Sequence, residues 1–235
     1  MRKINTAVIL AAGKGSRMKA NISKQFLMLE DKPIIAYTIL AFDKCEAIDE
    51  IIVVVSPEEL EFFKTNILGS YSYNKVKKLI PGGAERQQSA YNGIKAASLE
   101  SDIILIHDGA RPFVKSQTII ECIEQAKLHD AVSAGMPSKD TVKLVDEKSM
   151  VLSTPDRGSV WLTQTPQVFK KSIIIKVHEY ARERGIIGTD DAMLAEIAGY
   201  KVKMVAASYE NIKITTPEDI VIAKVLIEYI EEKFR

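Results

Sequence analysis

Residues 7–29 decide the fold of this chain, and they read AVILAAGKGSRMKANISKQFLML. Residues 7–12 are all apolar, which is typical of a short strand that is buried on both faces of a parallel sheet. A glycine-rich turn follows at residues 13–17, and its glycines allow backbone N–H groups to point toward an anion. Arg17 and Lys24 add fixed positive charge beyond the turn. The stretch therefore predicts a polyphosphate cradle at the end of the first strand.

The common phosphate motifs fit this turn poorly. Gly13 and Gly15 begin a G-x-G-x-x-G pattern, but Met18 stands at its third glycine, so the dinucleotide fingerprint is incomplete. A P-loop needs Lys and then Ser or Thr directly after its last glycine, and Ser16-Arg17 does not supply that pair. Taken by itself, the turn is a weak signal, and most loops of this composition are surface turns that carry solvated cations.

The composition is that of an ordinary globular protein. Of the 235 residues, 46% are hydrophobic and 27% are charged, and the formal net charge is +1. Because the net charge is so small, we expect no nucleic-acid binding through bulk electrostatics. The sequence has no apolar run that could span a bilayer and no signal-peptide pattern, so we expect a cytoplasmic protein without a membrane partner. Its length suits one domain over residues 1–235.

The two cysteines carry little functional information. Cys45 and Cys122 lack the spacing of metal ligands, and both fall in segments that are predicted to be helical. We expect reduced side chains that pack in the core.

Outward from the first strand, apolar β-branched runs alternate with amphipathic segments. The predicted strands are residues 7–12, 51–55, 76–80, 103–106, 131–136 and 201–205. The predicted helices are residues 33–42, 85–97, 116–128, 170–184 and 190–198, and two more begin at Pro57 and Pro217. This alternation predicts a Rossmann-like, three-layer α/β fold with a mainly parallel sheet.

Capping residues mark the starts of the two proline-led helices. Ser56 is predicted to cap the first of them, with Glu59 completing a capping box. Thr216 is predicted to cap the second. Just before it, residues 212–215 are mostly β-branched, and they predict a strand that carries Lys213.

Three polar or glycine positions follow predicted strand ends. Gly13, Gly82 and Asp108 each lie just past such an end. Ligands of parallel sheets bind at the carboxyl ends of the strands, so we expect these residues to converge on one edge. Asp108 could there bind Mg²⁺ or a substrate hydroxyl. The neighbouring His107 is predicted to be structural, with its ring satisfied by backbone groups.

Residues 141–154 interrupt the alternation of strands and helices. Apolar residues at both ends of this segment flank a polar turn at residues 146–149, which predicts a β-hairpin. A lone hairpin is marginally stable in water and needs a partner surface. From the residues alone, that surface could belong to the same subunit, with an ordinary edge hairpin folded onto it.

Several motifs carry a family resemblance, in order and along nearly the whole chain. They are AAGKGSRM (11–18), KQFL (24–27), GGAER (82–86) with Ser89, HDGARPF (107–113), DTVK (140–143), RGSVWLTQTPQVF (157–169), TDDA (189–192) and NIKITTPED (211–219). Together they resemble the 2-C-methyl-D-erythritol 4-phosphate cytidylyltransferase family of sugar-phosphate nucleotidyltransferases. Two departures are Ser23, where the family usually has Pro, and Gly109, where it usually has Ala.

The resemblance implies a reaction, a cofactor and partners. In this reaction, a polyol phosphate attacks the α-phosphorus of CTP and expels pyrophosphate, with Mg²⁺ as cofactor. A phosphate monoester has a second pKa of about 6 and is largely dianionic at neutral pH, so no general base is needed. The demand is for cations that stabilise the charge on the reacting phosphates. The family also implies that the hairpin is a protruding arm, at about residues 139–156, and that two subunits form a homodimer in which the arms exchange contacts.

The resemblance also assigns roles to individual residues. The catalytic cations would be Arg17, Lys24, Arg157 and Lys213. The nucleotide would contact Ala11, Ala12, Gly13, Gly82 and the side chain of Ser89. The substrate would contact Asp108, Arg111, Thr141, Thr165 and Thr189. Asp108 is also the candidate metal ligand, because of its position at a strand end. If the arm is exchanged, Thr141 and Arg157 would act on the neighbouring subunit, and the sequence leaves that choice between cis and trans open.

Other functions remain possible at this point. The nearest is ribitol 5-phosphate cytidylyltransferase, which acts on a similar polyol phosphate. A non-catalytic nucleotide-binding module is another, and a glycosyltransferase is disfavoured because no Asp-x-Asp motif follows a strand. Asp190-Asp191 could bind a metal or could simply begin a helix, where the dipole favours carboxylates.

Overall fold

The computed structural model describes residues 3–13 and 23–233. Their strands are β1 (Ile4–Ala11), β2 (Met28–Leu29), β3 (Lys32–Pro33), β4 (Glu50–Val55), β5 (Val76–Pro81), β6 (Ser101–Asp108), β7 (Ala131–Pro137), β8 (Leu144–Val145), β9 (Val151–Ser153), β10 (Trp161–Lys170) and β11 (Val202–Ala206). Their α-helices are α1 (Ile34–Asp43), α2 (Leu60–Phe63), α3 (Arg86–Ala96), α4 (Ser116–Leu128), α5 (Lys171–Glu183), α6 (Asp191–Ile197) and α7 (Pro217–Lys233).

A mixed sheet forms the centre of the molecule. Within the described residues its strand order is β11-β7-β10-β6-β1-β4-β5. β1 pairs in parallel with both β4 and β6, and β4 pairs in parallel with β5. β10 runs antiparallel to its neighbours β6 and β7, while β11 is parallel to β7. The carboxyl ends of β1, β4, β5 and β6 therefore meet at one edge, as the sequence predicted.

Helices cover both faces of the sheet, which confirms the three-layer α/β fold. On one face, Ile39 of α1, Phe63 of α2 and Ile119 of α4 pack in one core with Ile9 and Val53. β1 thus buries Ile9 on this face and its neighbour Val8 on the other. This arrangement explains why residues 7–12 are apolar without alternation.

The second face is covered by α3, α5 and α6. Ile94, Val177 and Leu194, one from each helix, pack with Val8 and Ile52 of the sheet. A third, smaller core places Ile227 of α7 against Phe113 and Ile214. Among the described helices, none combines the length and apolar character that crossing a membrane requires.

The predicted hairpin is confirmed at β8 and β9. The two strands pair antiparallel in a small sheet of their own, with Leu144 opposite Ser153. Residues 143–154 are exposed on both faces of the hairpin, including Leu152, whose residue exposure is 67%. The hairpin is therefore not packed onto the rest of its own chain, and its use in dimerisation stays a prediction.

Three local predictions are wrong. The Ser56 hydroxyl bonds the Glu58 carboxylate, which is nearer in the chain, and the segment opens as a 3₁₀ turn at Pro57–Glu59 without a side-chain cap. Residues 212–215 form no strand, because Ile214 pairs through a single amide with Ala110 and buries its side chain against α7. Cys45 lies just past α1, although it and Cys122 are free and buried as expected.

The start of α7 agrees with the prediction in position. Pro217 is its first residue. The Oδ2 atom of Asp219 accepts hydrogen bonds from the amides of Thr215 and Thr216, at 2.7 and 2.9 Å, and from the Thr215 hydroxyl at 2.8 Å. A carboxylate in the first turn therefore holds the residues that lead into the helix.

Candidate active site

A cleft of about 700 Å³ opens at the carboxyl edge of the parallel strands. Six predicted site residues from the first half of the chain line it, namely Ala11, Ala12, Gly13, Lys24, Gly82 and Ser89. Asp108 and Lys213 line the same cleft. The convergence that the strand ends predicted is thus present in the structure.

The glycine turn after β5 closes one wall of the cleft. A Cβ atom on Gly82 would lie 2.5 Å from the Cβ of Ala12 and 2.8 Å from the Oγ of Ser89. The amide of Gly82 donates to the carbonyl of Val55 at 2.7 Å, and Ser89 Oγ accepts from the amide of Gly83 at 3.0 Å. Only glycine allows the chain after β5 to come this close to the end of β1.

Lys24 enters the cleft on a short 3₁₀ turn. The next residue, Gln25, is buried and donates from Nε2 to the carbonyl of Ala11 at 2.7 Å. This hydrogen bond ties the turn to the last residue of β1, so Lys24 is held beside the strand end. Sequence reasoning did not single out Gln25, although its place in the KQFL motif directly after Lys24 was a signal.

Asp108 is the charged centre of the cleft. Its Oδ2 lies 2.7 Å from Lys213 Nζ and 3.9 Å from Arg111 Nε, and its Oδ1 lies 3.4 Å from Arg86 Nε. Burial alone would raise the pKa of Asp108, but the charges of Arg86 and Lys213 outweigh it and hold the pKa well below its ordinary value. Asp108 is therefore a carboxylate with cations on both oxygens.

The backbone of Asp108 is fixed by a chain of hydrogen bonds behind the cleft. Its amide donates to Thr165 Oγ1 at 3.1 Å, and that hydroxyl lies 3.1 Å from Nδ1 of His107. His107 Nε2 lies 3.1 Å from the carbonyl of Arg111, which can only accept. Burial lowers the pKa of His107 to about 4, so the ring is neutral. Nε2 must then carry the hydrogen, and Nδ1 accepts from Thr165.

Arg111 supports the segment that carries Lys213. Its side chain is largely buried, and Nη1 donates to the carbonyl of Asn211 at 2.7 Å. The amide of Ile214 donates to the carbonyl of Ala110 at 2.9 Å. These two contacts fix the backbone on either side of Lys213, so that its side chain reaches the cleft without a strand.

Arg86 also lines the cleft and joins two carboxylates from distant parts of the chain. Besides Asp108, its Nη1 lies 2.8 Å from Oδ2 of Asp191, which is fully buried. Burial lowers the pKa of Arg86, but both carboxylates raise it, so the guanidinium stays charged. The GGAER motif pointed to this arginine, but nothing local in the sequence shows its pairing with Asp191.

Both aspartates of the TDDA motif are engaged within the protein. Asp190 caps α6 by accepting from the amide of Met193 at 2.8 Å, and it also accepts from Gln167 Nε2 at 2.8 Å. Asp191 pairs with Arg86. Within the described residues, no group of three or more His, Cys, Asp or Glu side chains could hold a metal ion.

Five predicted site residues do not line this cleft within one chain. Thr165 and Arg111 lie behind it, and Thr189 is exposed and bonds the sulfur of Met193 at 3.4 Å. Thr141 and Arg157 are exposed at the base of the arm. Arg17 falls outside the residues that the structure describes.

The fold and the cleft together define a class, that of the Rossmann-like α/β nucleotidyltransferases. The sequence model of the 2-C-methyl-D-erythritol 4-phosphate cytidylyltransferase family matches residues 5–229. The chain belongs to this family, as its motifs predicted.

Known proteins are similar along nearly the whole chain. The 2-C-methyl-D-erythritol 4-phosphate cytidylyltransferase of Caldanaerobacter subterraneus is 49% identical over 222 residues, which cover 94% of this chain and 98% of that protein. The protein of the same name from Clostridium acetobutylicum is 46% identical over 225 residues, which cover 96% and 98%. The crystal structure of 4-diphosphocytidyl-2C-methyl-D-erythritol synthase from Anaerococcus prevotii has a TM-score of 0.86 at 34% identity and covers 96% of each chain.

Proposed function

We propose that the protein transfers the CMP moiety of CTP to 2-C-methyl-D-erythritol 4-phosphate. The products are 4-diphosphocytidyl-2-C-methyl-D-erythritol, an intermediate of the non-mevalonate isoprenoid pathway, and pyrophosphate. One observation carries the proposal: Lys24 and Lys213, from opposite ends of the sequence, line the same cleft as Gly13 and Gly82. Family membership supports the choice of both substrates.

The nucleotide would occupy the wall that Ala11, Ala12, Gly13, Gly82 and Ser89 form. Small side chains leave the backbone open there, and backbone donors and acceptors can recognise the edge of a pyrimidine. Ser89 already holds the glycine turn through the amide of Gly83. Ser89 therefore stabilises the wall of the cleft and would also contact the nucleotide there.

The cations would carry the chemistry. The attacking phosphate oxygen forms a bond to the α-phosphorus while the bond to the pyrophosphate oxygen breaks, and negative charge builds up on the transferring group. Lys24, Lys213 and Arg17 would stabilise that charge, and they must be held in place beforehand to do so efficiently. Gln25 and Arg111 hold the segments that carry the two lysines of the cleft.

We propose Mg²⁺ as the cofactor, with Asp108 as the residue that would hold it. Mg²⁺ usually takes one or two protein carboxylates together with phosphate oxygens and water, so a single carboxylate at the cleft suits an ion that arrives with the triphosphate. Asp108 supplies that carboxylate, and the ion would have to displace Lys213 or Arg86 from one of its oxygens. When bound, the ion would neutralise part of the triphosphate charge.

We further propose a cytoplasmic homodimer in which the arm reaches the neighbouring subunit. The exposed apolar side chains of the hairpin support this, since Leu144 and Leu152 contact little of their own chain. Thr141 and Arg157 flank the hairpin and would reach the partner's cleft. Thr189, Thr165 and Arg111 would serve the sugar phosphate from within the subunit, directly or by supporting Asp108 and Lys213.

The test is pyrophosphate release with CTP and each of two sugar phosphates. We expect release with 2-C-methyl-D-erythritol 4-phosphate and much less with ribitol 5-phosphate. A preference for ribitol 5-phosphate would replace the substrate and keep the reaction type. Absence of release with both substrates, in protein that still binds CTP, would favour a non-catalytic nucleotide-binding module.

A further inference from the structure

We infer that His178, a helix residue on the far side of the cleft wall, is a positioning residue for the catalytic cations. It acts through Asp191 and Arg86 on the pairing of Asp108 with Lys213. The inference rests on the proposed function only in calling the cations catalytic. The placement of the side chains is independent of that function.

His178 lies in α5 and is almost fully buried, with an exposure of 3%. Its Nε2 lies 3.0 Å from Oδ1 of Asp191. Burial raises the pKa of Asp191, but the charge of Arg86 and the hydrogen bond from His178 lower it more, so Asp191 is a carboxylate. A carboxylate can only accept, so His178 Nε2 is the donor.

The ring of His178 is held in one orientation by a neighbour on α3. Tyr91 stacks on it with a centroid distance of 5.7 Å and an interplanar angle of 17°. α3 also carries Arg86, so the helix that fixes the imidazole is the helix that presents the guanidinium. The donor and the guanidinium therefore approach the same carboxylate from a common scaffold.

Asp191 divides its two oxygens between these partners. Oδ1 accepts from His178, and Oδ2 lies 2.8 Å from Arg86 Nη1. The other side of the same guanidinium reaches Asp108, where Nε lies 3.4 Å from Oδ1. The contact with Asp108 is the longer of the two and will be lost first if Arg86 moves toward Asp191.

Removing the His178 donor would leave Oδ1 of Asp191 without a partner in a fully buried site, which is costly for a charged group. The carboxylate can recover a partner by turning both oxygens to Arg86, since a guanidinium binds a carboxylate through two parallel hydrogen bonds. Arg86 would then withdraw from Asp108. Asp108 would rely more on Lys213, and Lys213 would be less available to a substrate phosphate.

The experiment compares His178→Gln, His178→Asn and His178→Ala. A glutamine amide nitrogen extends about as far as Nε2 of histidine, whereas an asparagine amide reaches only as far as Nδ1. We expect Ala and Asn to lower kcat by about 10- to 100-fold, as misplaced catalytic groups do, with little change in KM for CTP. Gln should restore most of the activity.

Val177→Ala is the matched control. Val177 is the preceding residue of α5 and is fully buried, but its side chain cannot donate a hydrogen bond. We expect it to lower the melting temperature at least as much as His178→Ala while kcat stays near the wild-type value. Equal losses of kcat in Val177→Ala and His178→Ala would overturn the inference, because packing alone would explain them.

A second readout does not depend on turnover. In crystal structures of His178→Ala and His178→Asn, we expect the distance from Arg86 Nε to Asp108 to exceed hydrogen-bonding range, and in His178→Gln we expect it to be kept. An unchanged distance in His178→Ala would overturn the inference. If the wild-type protein released no pyrophosphate, the proposed function would fail, and this measurement would still decide the placement of Arg86.

Discussion

Lys213 Nζ lies 2.7 Å from Oδ2 of Asp108, and this ion pair joins the segment before α7 to the end of β6. The lysine side chain is one-third exposed, at 34%, whereas the aspartate side chain is 12% exposed. The carboxylate is thus the fixed partner, and the ammonium group faces the cleft. A substrate phosphate would approach Lys213 from that open side.

Lys213→Ala should lower kcat/KM for the sugar phosphate by about 10² to 10³, the loss typical of one preorganised charge donor. Steady-state pyrophosphate release measures it. The matched control is Lys203→Ala, because Lys203 is exposed on β11 and does not line the cleft. Wild-type kinetics in Lys213→Ala would remove this lysine from the mechanism.

The buried His107 predicts a pH dependence of stability. Burial lowers its pKa in the folded protein to about 4, whereas an unfolded histidine titrates at about 6.5. Between these values only the unfolded chain takes up the proton, so stability is fully present above pH 6.5 and falls as the pH decreases toward 4. The loss from this group is at most about 3 kcal/mol.

Urea unfolding between pH 8 and pH 4.5 measures this dependence. We expect the free energy of unfolding to fall less steeply with acid in His107→Gln than in the wild type. His129→Gln, on an exposed histidine, should follow the wild-type slope. Parallel slopes for wild type and His107→Gln would contradict the neutral ring described above.

The glycines of the cleft offer a pair of contrasting variants. A Cβ atom on Gly82 would meet Ala12 and Ser89 at 2.5 and 2.8 Å, whereas a Cβ atom on Gly13 would meet no atom of the described residues within 4 Å. Gly82→Ala should therefore lower the melting temperature and raise KM for CTP. Gly13→Ala should leave the melting temperature unchanged. A raised KM for CTP in Gly13→Ala would then report directly on the approach of the ligand to that backbone.

The arm predicts the oligomeric state. Leu152→Asp places a charge on the exposed apolar hairpin and should convert the proposed dimer to a monomer with little activity. Sedimentation velocity gives the mass. Leu99→Asp is the control, because Leu99 is 94% exposed but lies in a turn remote from the arm sequence. A Leu152→Asp protein that sediments like the wild type would show that the hairpin does not hold the subunits together.

Mixing of inactive variants tests whether the arm serves the neighbouring site. Arg157→Ala and Lys24→Ala should each be inactive alone, because each lacks one proposed catalytic cation. If Arg157 acts in trans, a mixed dimer contains one site with both cations, and mixing should restore up to about a quarter of the wild-type activity on statistical pairing. No recovery, in samples shown to exchange subunits, would place Arg157 in its own chain's site.

Much of the site could be predicted because parallel strands impose it. The apolar runs at β1, β4 and β6 predicted strands that are buried on both faces, and the sheet then brings Gly13, Gly82 and Asp108 to one edge. No side-chain contact had to be known for that step. In a parallel sheet, residues that follow different strands lie at the same edge, so their shared location can be predicted from the strands alone.

The pairings inside the site could not be predicted in the same way. Asp191 meets Arg86 because α3 and α6 both pack against α5 on the same face of the sheet, and no local pattern in either segment indicates this pairing. The strand predicted at residues 212–215 was wrong, although their branched side chains suit a strand. Ile214 is buried against α7 and Phe113, and its amide makes a single hydrogen bond to Ala110. Tertiary packing determines both the Asp191–Arg86 pair and the conformation of residues 212–215. Intrinsic β propensity depends mainly on local sequence and does not include such packing.

The late position of Lys213 in the sequence affects how the enzyme is made. The ribosome delivers the chain from its N-terminus, so the glycine turns and Asp108 are synthesised well before the segment that completes the cleft. A chain cut short before residue 213 would contain the residues of the nucleotide wall but would lack one of the charges proposed to act on the triphosphate.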